Sequence, residues 1–174
     1  AYALLNQAIC EELILVDLDK ARVQAHVDDL SDAAAYMPGM VTISTREASE
    51  CADVDIAVIT VSGGALKPGQ TRLDELTGTA RIVKTIVPQM MAGGFKGIFL
   101  VATNPCDIIT WQVWQLSGLP REQVIGTGVW LDTTRLRRTL AQELDIGAQS
   151  IDAFILGEHG DSQFPVSSHS SVYG

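Results

Sequence analysis

The stretch Val54-Asp55-Ile56-Ala57-Val58-Ile59-Thr60-Val61 runs straight into Ser62-Gly63-Gly64. A short Val- and Ile-rich run bounded by glycines reads as a strand buried inside a sheet, and the glycines mark a turn where a phosphate could approach. Working outward, "LILVD" (13–17) is a similar run ending in an acid, "VTIS" (41–44) is a further strand candidate and "GIFLVA" (97–102) is another. Between them lie helical patterns. One starts near Asp19 and carries Val23, Val27 and Leu30. A second, over 71–91, places Leu73, Leu76, Ala80, Val83, Val87 and Met90 at three- and four-residue steps. A third follows "TNP" (103–105), with Pro near its start and Gly and Pro near its end. Strands alternating with helices predict a parallel α/β sheet. In such sheets ligands sit outside the carboxyl ends of the strands, here after Asp17, Val61, Ala102 and Leu156.

Composition narrows the partners. The chain has 174 residues, 47% hydrophobic and 19% charged, enough apolar surface for a core of its own. Twelve Lys and Arg stand against 21 Asp and Glu, a formal charge of −9. That field repels phosphate backbones and anionic lipid, so neither a nucleic-acid nor a membrane-surface partner is expected. No apolar run reaches membrane-spanning length. The opening "AYALLNQAICEELILVD" lacks a basic region and a cleavage site, so no signal peptide is expected. Cys10, Cys51 and Cys106 are odd in number and lack metal spacing, which fits reduced thiols in the cytoplasm.

Several polar residues fall at the expected strand ends, each with an ordinary structural alternative. Asp17 can accept ribose hydroxyls or serve as a loop acid. In "SGGALKPGQTR" (62–72) a mobile loop could carry Arg72 onto a substrate oxygen, or Arg72 is merely solvated. Asn104 can face the crevice or cap the next helix. Asp132 and Arg135 share one helix face at i and i+3. They form either a surface ion pair or a histidine-orienting acid beside a carboxylate-gripping fork. Arg137 and Arg138 read as solvated. His159, in "ILGEHGD" (155–161), follows the expected strand "IDAFIL" and is flanked by glycines. With a carboxylate partner it would be a neutral-pH acid/base. A zinc reading is weak, because Glu158 and His159 are adjacent and diverge, with no second His at ligand spacing.

Taken in order, "VDLD" (16–19), "KPGQTRLDEL" (67–76), "VATNPCDIIT" (101–110), "VIGTGVWLDTTRLR" (124–137) and "ILGEHGDSQFPV" (155–166) resemble the L-lactate/L-malate dehydrogenase family, on its lactate-dehydrogenase-like side. The resemblance implies an NAD-dependent oxidoreductase that interconverts an L-2-hydroxy acid and its 2-oxo acid by hydride transfer. His159 would exchange a proton with the substrate oxygen, Asp132 would orient it and be the charge partner of its imidazolium, and Arg72 would polarise the carbonyl. Arg135 would anchor the substrate carboxylate, and Asn104 would contact substrate and cofactor. Asp17 would hold the adenosine ribose and favour NAD over its 2′-phosphorylated form. Gly63 and Gly64 would pass the pyrophosphate, and Thr127 would lie near the nicotinamide. No metal is implied. A small-molecule 2-hydroxy or 2-oxo acid is the implied partner, with a homo-oligomer expected for an intact relative.

Departures from the family pattern set further expectations. A dinucleotide fold opens with a strand and G-x-G-x-x-G turn about 20 residues before the ribose acid, whereas only residues 1–16 precede Asp17 and they read as the back half of a first helix. The expected fold is therefore α/β, a Rossmann-like parallel sheet lacking its first strand and glycine-rich loop, followed by the start of a substrate domain. Residues 1–126 would be a partial NAD-binding domain and 127–174 the first part of the substrate domain. Such a chain could also be catalytically silent, serving as a binding module or having no activity. Leu66 stands at the substrate discriminator, usually Gln in lactate enzymes and Arg in malate enzymes. It cannot pair a second carboxylate, which disfavours malate and favours lactate or a longer or branched apolar analogue. Arg137 matches the Arg of a sugar-bisphosphate activation site, but Asp152 occupies the partner His position and would repel phosphate.

Overall fold

The computed structural model describes residues 1–64, 69 and 72–173, the side chains of residues 72–74 apart. Leu66 lies outside the described residues. The chain divides into two compact units, residues 1–53 with 89–95, and residues 54–88 with 96–174.

The first unit contains α1 (Tyr2–Gln7), β1 (Glu12–Leu15), α2 (Lys20–Ala34) and β2 (Thr42–Thr45). Strands β1 and β2 run parallel, with Leu13 opposite Ile43 and Leu15 opposite Thr45. The Asp19 carboxylate caps α2 by accepting the Arg22 N–H at 3.0 Å, which satisfies a donor the helix leaves unpaired. Val23, Val27 and Leu30 follow at helical spacing and are buried, and Leu5 of α1 joins the core. Arg46, just past β2, bridges Glu12 at 2.9 Å and Asp53 at 2.8 Å.

The second unit is built on a three-stranded parallel sheet in the order β3 (Ile56–Ile59), β4 (Ile98–Val101), β5 (Val124–Gly126). Val58 faces Leu100 and Leu100 faces Ile125 across the ladder. Helix α3 (Arg72–Ala92) precedes β4, and α4 (Cys106–Ser117) connects β4 to β5. Helix α5 (Trp130–Leu144) leads to four two-residue strands: β6 (Ile151–Asp152), β7 (Ile155–Leu156), β8 (Phe164–Pro165) and β9 (Ser171–Val172). These pair antiparallel, β6 with β9 and β7 with β8.

Two expectations need correction. The run 54–61 is not buried on both faces: Ala57 and Ile59 are buried, while Ile56 is 56% and Val58 45% exposed. A continuous apolar run predicts two covered faces, yet only the face bearing Ala57, Ile59, Phe99 and Val101 is closed off. Likewise "IDAFIL" is two strands rather than one. The ladder breaks at Ala153-Phe154, where the Ala153 carbonyl accepts the Arg137 Nε–H at 2.9 Å instead of a strand partner. Among the described residues no helix is long and apolar enough to cross a membrane.

Candidate active site

The loops beyond β3, β4 and β5 are tied together by their own backbone. The Ala102 N–H donates to Ile59 O at 3.0 Å and the Thr127 N–H to Val101 O at 2.9 Å, so the ladder continues past each strand. The buried Thr103 hydroxyl donates to the Ile59 and Val61 carbonyls at 3.1 and 2.9 Å. Asn104 thus emerges from a rigid base, and its peptide bond to Pro105 is cis. Pro105 occupies the N-cap of α4 without a side-chain capping bond, so Asn104 does not cap that helix. Its side chain is exposed and has no hydrogen-bond partner among the described residues.

Cys106, buried at the start of α4, underlies the next turn. Its Sγ accepts the Gly128 N–H at 3.3 Å and lies 3.7 Å from the Thr127 hydroxyl. Gly63 has its N–H bonded to the Thr79 hydroxyl at 3.2 Å. A Cβ at Gly63 would sit 2.8 Å from the backbone of Gly78 in α3, so glycine at both positions allows the loop to lie on the helix. Gly64, at φ 113°, faces open space.

Asp132, in the first turn of α5, holds two partners at once. Its Oδ2 lies 2.6 Å from His159 Nδ1, and its Oδ1 accepts from Arg135 Nη1 at 3.2 Å. The Asp132 and His159 side chains are 12% and 21% exposed, whereas Arg135 is 58% exposed, so most of its fork faces solvent. Asp132 thus forms the i, i+3 pair with Arg135 and meets His159 on the same carboxylate. With Nδ1 engaged, Nε2 is the imidazole atom left for a ligand. Gly157, at φ 99°, turns the chain out of β7 two residues before His159, a conformation L side chains rarely adopt.

Three residues anchor these elements, through contacts that the sequence reading did not foresee. The buried Thr133 hydroxyl accepts the Ile155 N–H at 3.0 Å, tying α5 to β7. Asp107 accepts the His159 N–H at 2.9 Å. Arg137 is not solvated, because it bonds Ala153 O, pairs with Asp152 at 3.2 Å and lies over the Phe154 ring at 4.8 Å. Arg72 opens α3, but its side chain lies outside the described residues. In the first unit, Asp17 is exposed just past β1, with Oδ1 accepting the Asp19 N–H at 2.9 Å.

A histidine paired to a carboxylate beside an exposed guanidinium lies next to the start of α4, beyond the carboxyl end of a parallel strand in an α/β protein. Residues 1–126 match the family description "lactate/malate dehydrogenase, NAD binding domain" and residues 130–174 the "lactate/malate dehydrogenase, alpha/beta C-terminal domain". The chain belongs to the lactate/malate dehydrogenase family. It is 76% identical to L-lactate dehydrogenase 2 of Listeria innocua, covering 100% of this chain and 56% of that protein. Against L-lactate dehydrogenase 1 of Staphylococcus aureus it is 47% identical over 100% of this chain and 55% of that one. The crystal structure of minor L-lactate dehydrogenase from Enterococcus mundtii in its ligands-bound form superposes with a TM-score of 0.94 at 43% identity, over 99% of this chain and 55% of that one. The ligands-unbound form of that enzyme gives 0.86. The chain thus spans about half the length of the curated relatives it matches.

Proposed function

We propose that this chain carries the proton-transfer and carboxylate-binding groups of a cytoplasmic NAD-dependent L-2-hydroxyacid dehydrogenase acting on lactate or a longer or branched apolar analogue. The observation that carries the reading is the 2.6 Å contact of His159 Nδ1 with Asp132, with Arg135 on the same carboxylate. In this reading residues 1–126 form the NAD-binding part and 127–174 the first part of the substrate domain. The residues present fit NAD. Asp17, in the first unit, keeps acceptor capacity past a parallel strand, and Gly63 and Gly64, in the second, present backbone without side chains after β3.

Bound NAD supplies the carbon that takes or gives hydride. The chain's own residues do the rest. Arg135 binds the substrate carboxylate with the part of its fork that Asp132 leaves free. His159 holds a proton at Nε2 and exchanges it with the substrate oxygen, while Asp132 fixes the ring and the tautomer. Arg72 would polarise the carbonyl, Asn104 would contact substrate and cofactor, and Thr127 would lie near the nicotinamide.

The test places residues 1–174 in the matching segment of the Listeria innocua enzyme. The chimera is expected to reduce pyruvate or 2-oxoisocaproate with NADH, and to prefer either over oxaloacetate in kcat/KM because Leu66 cannot pair a second carboxylate. His159→Asn should cost about 10²- to 10⁴-fold in kcat/KM. A folded chimera without turnover, or an active His159→Asn variant, overturns the reading. The half-length coverage favours one alternative, a chain that is silent by itself. Calorimetry of the 174-residue chain with NAD separates the two, since millimolar or undetectable affinity supports the silent reading.

A further inference from the structure

Asp107 stands in the first turn of α4, three residues beyond Asn104. Its Oδ2 accepts the backbone N–H of His159 at 2.9 Å, although the two residues are 52 apart in sequence. Its Oδ1 points toward the turn after β5, where a Cβ built on Gly128 would lie 4.0 Å away. The segment beyond β7 is therefore held by a carboxylate at the start of α4.

His159 needs such an anchor. Strand β7 ends at Leu156, and the residues after it turn through Gly157 at positive φ before the chain returns as β8 at Phe164. The β7–β8 ladder pairs Ile155 with Pro165 and Leu156 with Phe164, and its further bond, Val166 N–H to Phe154 O at 2.9 Å, lies on the side away from His159. An imidazole keeps one orientation toward a partner only if the backbone beneath it is held as well as the ring. We infer that Asp107 is a positioning residue: its carboxylate pins the His159 backbone to the start of α4, so that the imidazole meets Asp132 through Nδ1 and leaves Nε2 for a ligand. The inference rests on the proton-transfer role given to His159 above.

The test uses the labelled 174-residue chain without cofactor and reads structure by NMR rather than turnover. A scalar coupling across the hydrogen bond, from His159 ¹⁵N to Asp107 ¹³Cγ, is expected. So is a single Nδ1–H tautomer for neutral His159. Asp107→Ala should lose the single tautomer and shift the His159 amide, whereas Asp107→Asn, which keeps an acceptor oxygen but no charge, should restore both. A His159 ring unchanged in Asp107→Ala overturns the proposal. So does an Asp107→Asn variant as disturbed as Asp107→Ala, because charge rather than anchoring would then be the cause. If Asp107→Ala fails to fold, absence of the wild-type coupling or a mixed tautomer in Asp107→Asn overturns it equally. Since none of these readouts needs NAD or a substrate, a silent chimera would defeat the dehydrogenase reading alone, and a mobile His159 would defeat the anchor alone.

Discussion

Asp132 lies 2.6 Å from His159 and uses its other oxygen on Arg135, so one nearly buried carboxylate holds both side chains. Replacing it with Asn keeps the shape but lets the amide present N–H to the ring, favouring the wrong tautomer. Asp132→Asn in the chimera is expected to lower kcat/KM by about 10²- to 10⁴-fold. Asp132→Ala should also lower the stability of the chain by about 1–3 kcal/mol, because His159 and Arg135 lose their acceptor. Steady-state kinetics and urea denaturation check the two halves separately.

Gly63 is close-packed on a helix rather than merely flexible. A methyl group there would stand 2.8 Å from the Gly78 and Thr79 backbone, and no side-chain rotation relieves a clash with backbone. The Gly63→Ala variant is expected to lose about 1–3 kcal/mol and to weaken the bond from its N–H to Thr79. Urea midpoints for Gly63→Ala and for Gly64→Ala, whose Cβ would meet nothing within 4 Å, compare steric crowding with positive-φ strain. A Gly63→Ala chain as stable as wild type would contradict the close packing.

Much of this was legible from periodicity. The run 97–102 and the helical spacing of Val23, Val27 and Leu30 indicated β4 and α2 to within a residue or two, because their burial follows the strand and helix repeats directly. His159, Asp132 and Arg135 were readable as candidates because chemistry of that type needs those side chains at strand and helix ends. The anchoring contacts were not. Asp107 reads as a helix-start acid and Thr133 as a helix residue, and only the tertiary fold carries them to backbone groups 52 and 22 residues away. The one-sided burial of β3 was equally hidden, since Ile56 and Val58 look like core residues in any window of sequence.

The three thiols should separate by reactivity. Burial raises the Cys51 thiol above its ordinary value, more than Arg46 lowers it, with Asp53 and Glu50 adding to the rise. A higher pKa means less thiolate at pH 8, and the nucleophile is the thiolate. Cys51 and Cys106 are buried, whereas Cys10 is partly exposed. Iodoacetamide should therefore label Cys10 first and reach the other two only as the chain unfolds. Peptide mass spectrometry over a time course, with and without urea, measures the order; early labelling of Cys51 would be inconsistent with its burial.

Arg137 is already satisfied from within the chain. Asp152 takes its Nη2 at 3.2 Å, Ala153 O takes Nε at 2.9 Å and Phe154 lies beneath the guanidinium. A second donor reaches the same acid, for the Tyr173 hydroxyl donates to Asp152 Oδ2 at 3.4 Å, so Asp152 is held in place against the Arg. A phosphate arriving at Arg137 would have to displace this carboxylate and then face its charge. A sugar bisphosphate is therefore expected to leave the KM of the chimera unchanged, and Asp152→His to create a measurable response by removing the internal counterion. The same arrangement predicts a structural cost for Arg137→Ala of about 2 kcal/mol, from a charge-assisted bond and a ring contact that are both partly exposed. A bisphosphate-dependent fall in KM with Asp152 intact would show that the internal pair yields to phosphate, and urea denaturation of Arg137→Ala would show whether the pair stabilises the turn between β6 and β7.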